Sequence, residues 1–146
     1  LEKKISKLNW KPDIVIASYH GIPKKYFDKG DPYHCYCQKT TRLLSEKFKQ
    51  IPIQTTFQSR FGPQEWLQPY TDKTLEKLPG EGKKNVLVIC PGFSSDCVET
   101  LEEISMQGKE SFVKSGGSNF DVVPCLNDND DHINLLQHLV KRFIIK

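Results

Sequence analysis

His20 follows Ser18 and Tyr19 and precedes Gly21-Ile22-Pro23. Its imidazole titrates and ligates metals near neutral pH. Position alone leaves two roles open, an active base or ligand, or a ring satisfied by backbone carbonyls at a turn. Carboxylates are the second chemical feature: Asp96, Glu99, Glu102 and Glu103 crowd one short stretch. Acids in a first helical turn complement the helix dipole, which accounts for Asp96 and Glu99. Glu103 lies about two turns further in and is not covered by that explanation. Positions 96, 99 and 103 fall on one helical stripe, which suits a hard cation or a proton relay. Tyr19, Phe61, Trp66, Tyr70 and Phe93 form the third feature. They read either as core or as the wall of a site for a flat aromatic ligand, since part of the set falls in a Gly/Pro-rich loop.

Positioning these groups requires strands that end near them. Asp13 to Ser18 is a short apolar run after Pro12 and reads as a buried strand that stops at His20-Gly21. Pro23 to Gly30 reads as a polar connection. Asp31-Pro32 opens a helix to about Gln50, with Asp31 as N-cap, because Tyr36, Thr40, Leu43, Leu44 and Phe48 recur at helical spacing. Ile53 to Ser59 is β-branched and aromatic and reads as a second strand. It delivers Gln58, Ser59 and Arg60 to a long loop holding Trp66 and Tyr70. Thr71 caps a short helix from Asp72 to Leu78, ended by Pro79-Gly80. Val86 to Cys90 is a continuous apolar strand. A helix from about Asp96 to Ser115, closed by Gly116-Gly117, leads to a fourth strand, Phe120 to Cys125. An amphipathic helix from Asp131 to Ile145 comes last.

Strands alternating with helices predict an α/β fold, a four-stranded parallel sheet with helices on both faces. The common strand order for four such units is 2-1-3-4. In such sheets ligands bind beyond the carboxyl ends of the strands, where His20, Ser59, Arg60 and Phe93 fall.

The chain has 146 residues, 37% of them hydrophobic and 27% charged, the size of one domain with its own core. Its charge of +3 is too small and too evenly spread for a nucleic-acid footprint. No apolar run approaches a membrane span. The single methionine is Met106, so the sequence is expected to be a processed product or a piece of a longer protein. Five cysteines with no export signal suggest reduced thiols. Cys35-Tyr36-Cys37 is too tight for the usual metal pair and reads as surface or helix-packing sulfur. No Gly-rich phosphate fingerprint follows the first strand.

The motifs resemble the C-terminal half of the ferrochelatases, enzymes that insert ferrous iron into protoporphyrin IX. Ser18-Tyr19-His20-Gly21-Ile22-Pro23 is similar to their histidine loop, and Gly30-Asp31-Pro32-Tyr33 to their G-D-P-Y signature. Phe57-Gln58-Ser59-Arg60-Phe61-Gly62-Pro63 with Trp66-Leu67 resembles the F-Q-S block. Gly92 to Glu103 resembles the acidic helix, and Pro124-Cys125-Leu126-Asn127 the late strand with its asparagine.

The resemblance implies one chelatase-like domain over residues 1–146, with a similar N-terminal domain outside this chain and the active site between them. It implies His20 and Glu99 as catalytic residues. Asp96 and Glu103 join those two as metal-site groups, on a helix that the family bends with a π-bulge. Arg60, Trp66 and Phe93 would line the porphyrin cleft. Cys97 departs from the pattern, since several members carry histidine there. No cofactor beyond the iron substrate is implied. In particular, no iron–sulfur cluster is expected, because the chain lacks the cysteine-bearing tail of animal members. The expected partners are protoporphyrin IX, ferrous iron and the N-terminal domain, with no nucleic acid. The expected location is the cytoplasm, with peripheral contact to the inner membrane. The alternatives are a chelatase for coproporphyrin or cobalt and a non-catalytic α/β module.

Overall fold

Residues 1–144 are described by a computed structural model. A short helix, α1 (Glu2–Ile5), precedes strand β1 (Ile14–His20). Then come α2 (Lys24–Asp28), α3 (Tyr33–Lys47) and β2 (Ile53–Gln58). Helix α4 (Thr71–Lys77) runs on as a 3-10 turn, Leu78–Glu81, before β3 (Asn85–Ile89). A π-helix (Glu99–Gly108) passes directly into α5 (Lys109–Lys114). Strand β4 (Asn119–Val122) and helix α6 (Asp130–Ile144) complete the chain.

The four strands are parallel, as the alternation of strands and helices predicts, and their order is β2-β1-β3-β4, the common one for four such units. Register is set by apolar alternation. Ile14, Ile16, Val86 and Val88 face Leu75, Leu78, Ile104 and Phe112 on one side of the sheet. Val15, Ala17, Leu87 and Ile89 face Cys37, Phe57 and Leu67 on the other. Because both faces are covered, β1 is apolar from Ile14 to Ala17 and β3 from Val86 to Ile89. At Ser18 that pattern breaks, and the residue is nevertheless fully buried.

The departures from sequence expectation have local causes. The stretch 23–30 is not a plain connection, since Lys24–Asp28 closes one helical turn. Helix α3 stops at Lys47, where Phe48 leaves helical geometry with φ −117° and ψ 57°. Asp31 still acts as a capping group one residue outside the helix, its carboxylate accepting the Tyr33 N–H at 2.9 Å. Thr71 is not a cap. Its hydroxyl lies 2.8 Å from those of Ser18 and Thr56, inside the protein. Pro79-Gly80 is carried within the 3-10 turn, which ends only at Gly82, in the left-handed conformation with φ 81°. Strand β4 ends at Val122, short of Cys125. Helix α6 packs little on the sheet: His132 is its one buried residue among those described. The expected end of this helix, Ile145, lies outside the described residues. No helix among the described residues is long and apolar enough to cross a membrane.

Candidate active site at the carboxyl edge of the sheet

Parallel pairing brings the carboxyl ends of β1 and β2 to one edge, with His20 opposite Gln58 in register. His20 is exposed at the end of an otherwise buried strand. Its Nδ1 lies 2.6 Å from the Gly21 carbonyl oxygen. A carbonyl can only accept, so Nδ1 carries a proton, and Nε2 is the nitrogen that bears the lone pair whenever the ring is neutral. The His20 carbonyl is held by the Tyr33 hydroxyl, which donates at 2.8 Å. The Phe93 ring lies 6.3 Å from the imidazole, tilted by 42°.

The acidic stretch does not follow the spacing expected of it. Hydrogen bonding is i→i+5 from Glu99 to Gly108, a geometry rare in length and common at functional sites. Glu99 opens this segment. The Cys97 thiol and a backbone N–H hold its carboxyl below the usual carboxylate range, and the charge of His20 acts in the same direction. Glu103, one wide turn further on, reaches back to β2. Its Oε1 accepts the Ser59 N–H at 2.7 Å, and its Oε2 accepts the Ser59 hydroxyl at 2.9 Å. Ser59 adopts φ 63°, a conformation uncommon outside glycine, and it aims both donors at Glu103.

Asp96 is not on this face. It precedes the π-helix, and its carboxylate accepts Asn127 Nδ2–H at 2.8 Å, the Cys125 N–H at 3.2 Å and the Thr100 hydroxyl at 3.1 Å. Burial alone would raise this carboxyl, but those bonds hold it below its ordinary value. The structure therefore separates Asp96 from Glu99 and Glu103. No three His, Cys, Asp or Glu side chains among the described residues converge on a single ion position.

The aromatic residues divide. Trp66 lies beside the histidine loop, bridged to Pro23, with its Nε1–H donated to the Phe61 carbonyl. Phe61 is 83% exposed and Phe93 half-buried, so both remain open to a ligand. Tyr19 is core, only 3% exposed, its hydroxyl 3.0 Å from that of Thr41. Arg60 turns to α4: it pairs with Asp72 at 2.5 Å and covers the Tyr70 ring at 4.3 Å. With Ser59, Glu103 and Gln107 it borders an open groove of about 300 Å³. Cys37 is buried and Cys35 exposed, matching the helix-packing and surface readings.

Sequence reasoning gave no role to Tyr33 or Gln58. Gln58 is 3% exposed and uses both ends of its amide, accepting the Ser18 hydroxyl and donating to the Glu99 carbonyl. A buried glutamine closing an apolar strand was the available signal.

The family model described as Ferrochelatase matches residues 1–143. Among curated proteins, the chain is 58% identical to the ferrochelatase of Rhizobium meliloti (strain 1021) over 144 residues. It is likewise 58% identical to that of Rhizobium etli (strain CIAT 652), and 53% to that of Agrobacterium fabrum. Each alignment covers 97% of this chain and 42% of the relative, so the chain spans less than half their length. Among solved structures, a putative cobalamin biosynthesis CbiX protein from Marinobacter aquaeolei VT8 matches with a TM-score of 0.56 at 12% identity. That match covers 91% of this chain and 98% of the other, and at such identity it shows a shared fold.

Proposed function

Because this chain belongs to the ferrochelatase family, we propose that it forms one wall of a site that inserts ferrous iron into protoporphyrin IX, the last step in making haem. The observation that carries this reading is the pair of complementary groups at the sheet edge. His20 is exposed with its Nδ1–H tied to the Gly21 carbonyl, which leaves Nε2 as the nitrogen facing outward, and Glu99 presents a carboxyl held toward its ionised form by the Cys97 thiol and a backbone N–H.

Metallation replaces two pyrrole N–H protons with one divalent ion, so the site must accept protons while it presents the metal. His20 Nε2 takes a pyrrole proton on one side of the ring. The Glu99 carboxylate meets the incoming iron and takes or passes a proton on the other. Glu103 extends the path along the π-helix, because a single turn separates it from Glu99. Asp96 serves by fixing where that helix begins. Trp66, Phe93 and the exposed Phe61 supply apolar surface to a flat macrocycle, and closure over it would favour a distorted ring whose nitrogen lone pairs are exposed. Arg60 borders the adjoining groove, where a propionate would find a cation. The opposing wall belongs to the part of the longer protein not covered here. A cytoplasmic site with contact to a membrane surface suits a greasy substrate.

The test titrates Co²⁺, a spectroscopic stand-in for ferrous iron, into the chain and into Glu99→Gln and His20→Ala. Each substitution is expected to weaken binding about tenfold, the effect of one lost ligand contact of roughly 1.4 kcal/mol. Unchanged affinity in both variants would overturn the assignment of the metal to this edge.

A further inference from the structure

We propose that Gln58 is the positioning residue of this site, clamping the π-helix to the histidine strand so that Glu99 and Glu103 stand opposite His20. The inference rests on the functional reading of those two acids, and its geometry stands without it.

Four bonds converge on this one residue. Its backbone carbonyl accepts the Gly21 N–H at 2.8 Å, which fixes the loop just after His20. Its side-chain Oε1 accepts the Ser18 hydroxyl at 2.6 Å. Its Nε2–H donates to the Glu99 carbonyl at 2.7 Å, and the same nitrogen lies 3.5 Å from Glu103 Oε2. The amide orientation follows from chemistry: the Glu99 carbonyl has no proton to give, so the nitrogen must face it. The other side of the amide is braced in turn. Ser18 touches Thr71 at 2.8 Å and Thr71 touches Thr56 at 2.8 Å, a buried hydroxyl chain running from β1 through α4 to β2.

These bonds matter because a π-helix is rarely stable by itself, and its wide turns need outside support. Here the support is applied at the residue that begins it. Gln58 holds the backbone of Glu99, while the neighbouring Ser59 holds the side chain of Glu103. The last residue of β2 and the one after it therefore hold the backbone of Glu99 and the carboxylate of Glu103. An apolar side chain of equal size would keep the packing and lose the clamp, leaving the buried Ser18 hydroxyl without this acceptor.

The test compares the chain with Gln58→Met, which conserves volume. It also uses Gln58→Glu, which keeps an acceptor for Ser18 and removes the donor to Glu99. Two readings are taken on each, backbone amide exchange across 99–112 and Co²⁺ affinity. In both variants exchange should accelerate about tenfold over Thr100–Ile104, the consequence of one lost hydrogen bond, while Lys109–Phe112 stays at the parent rate. Co²⁺ affinity should fall by a similar factor. Exchange that is unchanged, or raised evenly over the whole chain, would overturn the clamp. Local loosening with parent Co²⁺ affinity would overturn its role in positioning. If instead Glu99→Gln binds Co²⁺ as the parent does, the metal reading fails, and the exchange result still decides whether Gln58 holds the helix.

Discussion

Asp96 and Asn127 exchange two hydrogen bonds. Asn127 Oδ1 accepts the Asp96 N–H and Asn127 Nδ2–H donates to Asp96 Oδ2, both at 2.8 Å. The Asn127 carbonyl also accepts from Nδ1 of the buried His132 at 2.6 Å, so this clasp joins the π-helix entry to the start of α6. It carries a pH dependence whose sign is fixed. The Asp96 carboxyl lies below its ordinary 3.8 in the folded chain. Its contribution to stability is therefore complete above that value and is lost as pH falls through the folded one. Asp96→Asn is expected to cost about 1–3 kcal/mol at neutral pH, since an amide cannot accept from all three donors. It should also flatten the acid side of the stability curve. Thermal melts of both proteins from pH 6 to pH 2 check this, and parallel curves would show that Asp96 is not the titrating group. The spacing at 96, 99 and 103 suggested three acids acting together. It could not show that Asp96 is already engaged, because Cys125 and Asn127, two of its three partners, lie some thirty positions away in sequence.

At the scale of elements, the strands were readable because both faces of β1 and β3 are covered and each carries an unbroken apolar run, Ile14–Ala17 and Val86–Ile89. Helix α3 was readable from its period. The π-helix was legible only through the family resemblance, which implies a π-bulge in this helix, because the residues of Glu99–Gly108 by themselves fit an α pattern. Thr71 misled for a related reason: a hydroxyl at a helix start reads as a cap, and here it is turned into a buried network with Ser18 and Thr56. Gly21 shows how tightly the histidine loop and β2 are joined. A Cβ at this position would lie 2.9 Å from the Gln58 carbonyl oxygen and 3.2 Å from the Trp66 ring. The first contact is with backbone and cannot be relieved by a rotamer change. Gly21→Ala is accordingly expected to destabilise the chain by about 1–3 kcal/mol, the usual cost of overpacking, and to shift the His20 ring resonances. Urea midpoints and the histidine region of the proton NMR spectrum read the two effects. A parent-like midpoint with unmoved resonances would mean that the loop has slack at this point.

Over the whole molecule, burial is distributed unevenly. The sheet and the layers against it hold Phe112 and Phe57 at 0% and 2% exposure, together with the fully buried Leu75, Val15 and Ile16. Helix α6 carries an apolar sequence of the same kind but leaves Leu136 at 44%, Val140 at 54% and Phe143 at 80%. Amphipathic patterning predicted the helix and said nothing of whether a surface within this chain would receive it. Stability should therefore reside in the layers and not in α6. Phe112→Ala removes a ring that also meets Phe120 at 5.7 Å between centroids, and it should cost about 3–5 kcal/mol through lost transfer energy and the cavity left behind. Phe143→Ala removes a ring already in water and should stay within about 0.5 kcal/mol. Urea unfolding of both variants at low concentration, repeated at two protein concentrations, separates the cases. A concentration-independent loss above about 2 kcal/mol for Phe143→Ala would mean that α6 packs on its own chain. The expected result instead places the stable unit in the same sheet and two layers that hold His20, Gln58 and Glu99 in place, so substitutions on α6 would leave the geometry of that edge intact.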